Sequence, residues 1–221
     1  MKRNYFVFVQ ALLVTVVIFI IGFYIGLSVE GSHLNQVNDY YTRSEVSLVD
    51  ILALNSLTGS ETISCKGMVE ATKNLLDKVY KEAALLGQYE ESEKLTDSLK
   101  TLHTKYDVLR TYLWINSINI KKVCPSSNFS TIVYLYKHDE QDLTKKAEQN
   151  VWSKLLLEIK NENKNMFLIP IAQDSNLISL ASLTERYNLT NFPAVIINEN
   201  RIFYEIPEKG EILALINNSS I

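Results

Sequence analysis

Cys65 and Cys124 are the only thiols in the 221-residue chain, and 59 residues separate them. Joined, they make a structural disulfide. Apart, and with one of them activated, they carry out thiol–disulfide exchange. They form no Cys-x-x-Cys, and no histidine lies near either for a tetrahedral zinc site. His33, His103 and His138 are scattered. Pro125 follows Cys124, so no helix start is there to lower its pKa. The expected state is a Cys65–Cys124 disulfide in an oxidising compartment. Two free buried thiols, or a dispersed redox pair, are the alternatives. A second group with chemical potential is His138-Asp139-Glu140-Gln141-Asp142. Such side chains build general acid–base or metal sites. A charged loop after a strand is more often simply solvated, and that is the expectation.

Other chemistries lack support. The chain has seven glycines, no G-x-G-x-x-G and no G-x-x-x-x-G-K-[ST], so no nucleotide cofactor is expected. Net charge is −3 and no Lys/Arg-rich run appears, which speaks against nucleic acid as partner. Hydrophobic residues make up 47% of the chain, enough for a real core. Asn128, Asn188, Asn217 and Asn218 each begin a glycosylation tripeptide, a short pattern that an asparagine-rich chain also produces by chance.

These groups must be held by something, and the amino terminus shows where. No charge appears between Arg3 and Glu30. Residues 5–29 suit a helix crossing a bilayer, which needs roughly 20 apolar residues. Lys2 and Arg3 favour a cytoplasmic amino terminus, with later residues outside. Tyr5 and Tyr24 fit the two interfaces. A cleaved signal peptide has a shorter apolar region and a small-residue cleavage site, which "GLSVEGS" supplies poorly. The expectation is an uncleaved anchor over residues 1–30.

Residues 31–122 carry a helical pattern. Leu34, Val37, Tyr41, Leu48, Ile51, Leu52 and Leu54 recur at mostly helical spacing, and "LTGSET" breaks it. A second helix begins near Cys65 and runs to Leu86, with Val69, Leu75, Leu76, Val79, Tyr80 and Ala83 on one side and "GQYE" as its turn. In a third, Leu95, Leu99, Leu102, Tyr106, Leu109 and Leu113 form an amphipathic stripe. Short connections make such helices antiparallel, which brings Cys124 back towards Cys65. These stripes are expected to be core, with the 34–57 helix the best candidate for a partner surface.

The pattern changes near residue 130. "STIVYLYKH" suits a strand. A helix over 142–163 follows, with Ala147, Val151, Leu155 and Ile159 on one face. Then come a strand in "MFLIPIAQD", a helix from Ser175, its candidate cap, and a strand in "AVII" after Pro193. The turn "NEN", the strand "RIFYEI" and a short helix complete the order β-α-β-α-β-β-α. This order, with proline opening the third strand, resembles the thioredoxin fold over about residues 130–218. "Tyr187-Asn-Leu189-Thr-Asn-Phe192-Pro193-Ala194-Val195" matches the family's tyrosine, aliphatic residue and proline before that strand.

The resemblance implies an α/β domain over 123–221 and a cis Phe192–Pro193 bond. It implies a binding edge where Phe192 and Pro193 meet the loop His138, Asp139, Glu140 and Gln141. That loop stands where the family keeps its Cys-x-x-Cys, so the dithiol activity is not carried over. The resulting expectation is a membrane-anchored, extracytoplasmic, redox-inactive module that binds a polypeptide or scaffolds an envelope complex. It needs no cofactor or metal, and its partners are the bilayer and a protein of unknown identity. The alternative is an oxidoreductase using Cys65 and Cys124.

Overall fold

The structure, a computed structural model, describes residues 2–56, 64–92 and 97–217. Side chains are described for these residues except 2–5, 27–38, 40, 51–56, 88–92 and 98. The "LTGSET" break, Leu95 and Asn218 therefore lie outside the described residues, as do the side chains of Tyr5, Leu34, Val37, Ile51, Leu52 and Leu54.

Helix α1 (Lys2–Ser56) is one helix of 55 residues. The anchor and the 34–57 helix were expected as separate elements, but Gly31 and Ser32 do not interrupt it. A single glycine costs a helix only about 1 kcal/mol, and long flanks on both sides carry the hydrogen-bond ladder through. Within α1, Phe6–Gly26 has a mean hydropathy of 2.8 and is covered by no other part of the chain. Its rise of about 31 Å matches the hydrocarbon thickness of a bilayer. Among the described residues it is the one helix long and apolar enough to cross a membrane.

Helix α2 (Cys65–Ser92) and helix α3 (Asp97–Val123) form an antiparallel hairpin. The turn expected at "GQYE" is helical, because α2 continues to Ser92. Met68, Leu75, Leu76, Val79 and Leu86 of α2 are buried, facing Leu99, Leu102, Tyr106, Leu109 and Leu113 of α3. The disulfide joins Cys65, the first residue of α2, to Cys124, just past α3.

A four-stranded sheet follows, in the order β2-β1-β3-β4. Strand β1 (Ser130–Tyr136) runs parallel to β2 (Met166–Ala172) and antiparallel to β3 (Ala194–Ile197), which pairs antiparallel with β4 (Arg201–Phe203). Strands β1 and β4 stop earlier than their apolar patterns suggested. Phe192–Pro193, immediately before β3, is cis. Asn198 and Glu199 both take positive φ, and Asn200 N–H donates to the Ile197 carbonyl, a type I′ hairpin turn. Strand β2 is an edge, and Pro170 within it lacks the N–H a further strand would need.

The two faces bury different helices. Val133, Leu135, Phe167, Ile169, Ile171 and Ile196 share a core with α2, α3 and helix α5 (Ile178–Arg186). Ile132, Tyr134, Leu168, Val195 and Ile197 share one with helices α4 (Leu143–Glu162) and α6 (Lys209–Asn217). The architecture is mixed α/β with helices on both faces.

Two further expectations need correction. Helix α4 buries Gln149, Trp152, Leu156 and Ile159, so of the predicted face Ile159 is buried and Leu155 is half-buried, whereas Ala147 is exposed and Val151 is 52% exposed. The consecutive leucines 155–157 fit either face, and seating Trp152, which is fully buried, fixes the rotation. Ser175 does not cap α5. It belongs to a 3-10 turn (Gln173–Ser175) and its hydroxyl donates to the Ala172 carbonyl at 2.7 Å. Asn176 then takes a left-handed conformation (φ 55°), which separates turn from helix, so Leu177 occupies the N-cap position.

Candidate functional site

The carboxyl ends of β1 and β2 meet the first half of α3, and there the chain gathers polar groups that its sequence scatters. The loop after β1 is built by its own side chains. Asp174, just past β2, accepts the backbone N–H of His138 and of Asp139, both at 2.9 Å. Glu140 accepts the Asp142 N–H at 3.0 Å, and Gln141 donates to the Asp139 carboxylate at 2.9 Å. Asp142 caps α4 through the N–H groups of Thr144 and Lys145. Glu140, Asp142 and Asp174 thus serve backbone donors, and Asp139 serves the Gln141 side chain. Among the described residues no three His, Cys, Asp or Glu side chains are placed to hold a metal ion.

Behind the loop sits a charged network that the sequence reading missed. His103, Asp107 and Arg110 occupy one side of α3. Asp107 is fully buried. Its Oδ1 accepts from Arg110 Nη1 at 3.2 Å and from the Ala172 N–H at 3.2 Å. Its Oδ2 accepts no hydrogen bond and lies 3.5 Å from His103 Nε2. Burial pushes the Asp107 carboxyl above its ordinary range, and the charges of Arg110 and His103 oppose that. The His103 ring lies against that of His138, with centroids 3.9 Å apart and planes tilted by 37°, and its Nε2 lies 3.4 Å from the Tyr136 hydroxyl. The hairpin and the loop are therefore one polar unit.

The expected binding edge is only partly open. The β1–β3 ladder ends at Leu135 opposite Ala194. Beyond that pair Tyr136 still pairs with Ala172 of β2, and Lys137–His138 and Phe192–Pro193 leave the sheet at the same end. Pro193 is buried and Phe192 is half-buried against the hairpin core. Exposed positions are Thr190 and Asn191 beside the proline, Asp139 and Gln141 on the loop, and Ile178 and Leu143 at the starts of α5 and α4. Cys65 and Cys124 lie at the opposite end, by the amino end of β1. Asn128 and Asn188 are exposed.

The direction of this end follows from contacts with α1. Tyr41 meets Tyr106 edge-on, Ser44 donates to Glu82, and Lys78 donates to Ser47. Helix α2 is thus antiparallel to α1, and α3 is parallel to it. Lys121, late in α3, donates to Thr131 at the start of β1, whereas His103, early in α3, meets Tyr136 at its end. Strand β1 therefore points back along α1 towards the apolar segment. Tyr41 stands about 22 Å of helix beyond Gly26.

Comparison with family models, curated proteins and solved structures finds no match to this chain.

Proposed function

We propose that the chain is a membrane-anchored, thioredoxin-like module that holds a polypeptide and performs no dithiol chemistry. Its amino terminus lies in the cytoplasm and its folded part outside, as Lys2 and Arg3 ahead of the apolar segment favour. The reading is supported by the strand order, by α4 and α6 lying on one face with α5 on the other, and by Tyr187, Leu189 and Pro193 ahead of β3. One observation carries it above all. The end of β1, where that family keeps its cysteines, bears a loop fixed by Asp174, while both cysteines are bonded to each other at the far end. The exposed Thr190–Asn191 segment and the 139–141 loop flank the space in which catalytic relatives lay an extended substrate. This function is an analogy of fold.

The test is site-directed photocrosslinking of the full chain in native membranes, with the photoreactive residue at Gln141, Asn191 or Ile178. Adducts to one extracytoplasmic polypeptide are expected from these three positions and not from Lys154 on α4. Adducts of equal strength from Lys154 would overturn the binding edge. A mixed disulfide trapped at Cys65 or Cys124 would instead establish the oxidoreductase.

A further inference from the structure

A cavity of about 320 Å³ opens between α2, the first half of α4 and the carboxyl end of β1, beside the edge strand β2. Its size suits a small metabolite. Arg110, only 8% exposed, forms part of its wall. One of its nitrogens pairs with Asp107 and it bonds Tyr136, but a guanidinium carries five N–H donors in a planar fork. Lys137 and Lys146 also line the cavity, and among the described residues Glu140 is the one carboxylate that does. With Asp107 set against Arg110 and Glu140 against the two lysines, one positive charge is left over locally in a chain whose net charge is −3. The wall is also held in place. The Tyr134 hydroxyl donates to the Gln149 carbonyl at 3.0 Å, and Gln149 Oε1 accepts the Lys137 N–H at 2.8 Å.

We propose that this cavity binds a small molecule through a phosphate or carboxylate group. The Arg110 fork takes the anion's oxygens, Lys137 and Lys146 add charge at the mouth, and Tyr80 and Tyr134 wall the remainder of the ligand. Either a soluble metabolite or a lipid headgroup presents such an anion. The geometry favours the soluble source. Arg110 lies one turn past Tyr106, which is level with Tyr41, about 22 Å of helix beyond Gly26. The polar layer of a bilayer is only roughly 5–8 Å thick on each side. The proposal does not rest on the polypeptide-binding reading.

The experiment uses the full chain in phosphatidylcholine nanodiscs, titrated with inorganic phosphate against chloride at constant ionic strength. A saturable rise in thermal midpoint with phosphate, absent with chloride, is expected. Lys137→Gln and Lys146→Gln should each raise the phosphate Kd about threefold or more, as loss of one partly solvated charge does. Arg110→Lys keeps the charge opposite Asp107 but loses the fork, and should raise it about tenfold. Lys154→Gln, exposed on α4 and not part of the cavity's lining, should leave it unchanged. No saturable rise, an equal rise with chloride, or an equal loss in Lys154→Gln overturns the proposal. Discs containing phosphatidylglycerol separate the sources. An unchanged phosphate response there fits a soluble ligand, and a response abolished there overturns the soluble source in favour of a headgroup.

Discussion

Replacing Arg110 with methionine should destabilise the protein by about 3–5 kcal/mol at neutral pH, the usual result of stranding one charge of a buried pair. Asp107 has no exposed surface, and among the described residues Arg110 is the one permanent cation it touches. The effect has a direction in pH. Burial raises the folded-state pKa of Asp107 above its unfolded value, against the pull of Arg110 and His103. A carboxyl raised in this way favours the folded state at low pH, and that contribution is lost as pH rises from the unfolded pKa through the folded one. Removing Arg110 moves the folded value further up. The deficit of Arg110→Met relative to the parent should then be largest near pH 7 and shrink steadily on acidification. Asp107→Asn/Arg110→Met, which keeps an acceptor for the Ala172 N–H without a charge, should recover most of the loss. Urea unfolding of the full chain in detergent at several pH values measures this. A deficit that grows on acidification, or a double variant as weak as the single, would show that the buried charge is not what Arg110 supports.

The same network shows where sequence reasoning stops. The α3 stripe of Leu99, Leu102, Tyr106, Leu109 and Leu113 was legible because every member is apolar and spaced for one face, and all are buried. His103, Asp107, Arg110 and Trp114 recur at the same spacing one residue over, but charged residues in a helix ordinarily read as its solvated side. Their burial is decided by β1 and β2, tens of residues away in sequence. Trp114, fully buried at the end of that row, was the one available signal that the second side faces protein too. The loop 138–142 was found as a cluster, yet its purpose depends on Asp174, which follows a different strand. The rotation of α4 turned on Trp152 against three leucines that fit either face. The long α1 reads as two elements in the sequence because the uncharged run ends at Glu30 and the amphipathic spacing starts at Leu34, whereas helix cooperativity carries the backbone across that change of composition.

Breaking the disulfide should cost about 4 kcal/mol in the chain-entropy account, given the 59-residue separation it closes. The bond ties the start of α2 to the end of α3, with Cα atoms 5.7 Å apart, and so restrains the hairpin that carries Arg110 and Tyr80. Cys124 is 1% exposed, so alanine is the better replacement there, since a buried serine hydroxyl would add a cost of its own. Cys65→Ala and Cys124→Ala should lower stability by similar amounts. The double variant should be no worse than either, because both singles remove one and the same bond. Costs that add in the double variant would mean that each sulfur acts through its own packing. The comparison also separates the two readings of the cysteines. A structural bond predicts that either alanine variant, kept cold enough to remain folded, still yields photocrosslinks from Gln141 and Asn191. A dispersed redox pair predicts a small change in stability together with loss of every adduct that passes through sulfur. Since Cys65 and Cys124 sit at the amino end of β1 and the loop at its carboxyl end, crosslinking that survives the loss of either thiol would place polypeptide binding at the loop and leave the sulfurs the task of holding the hairpin.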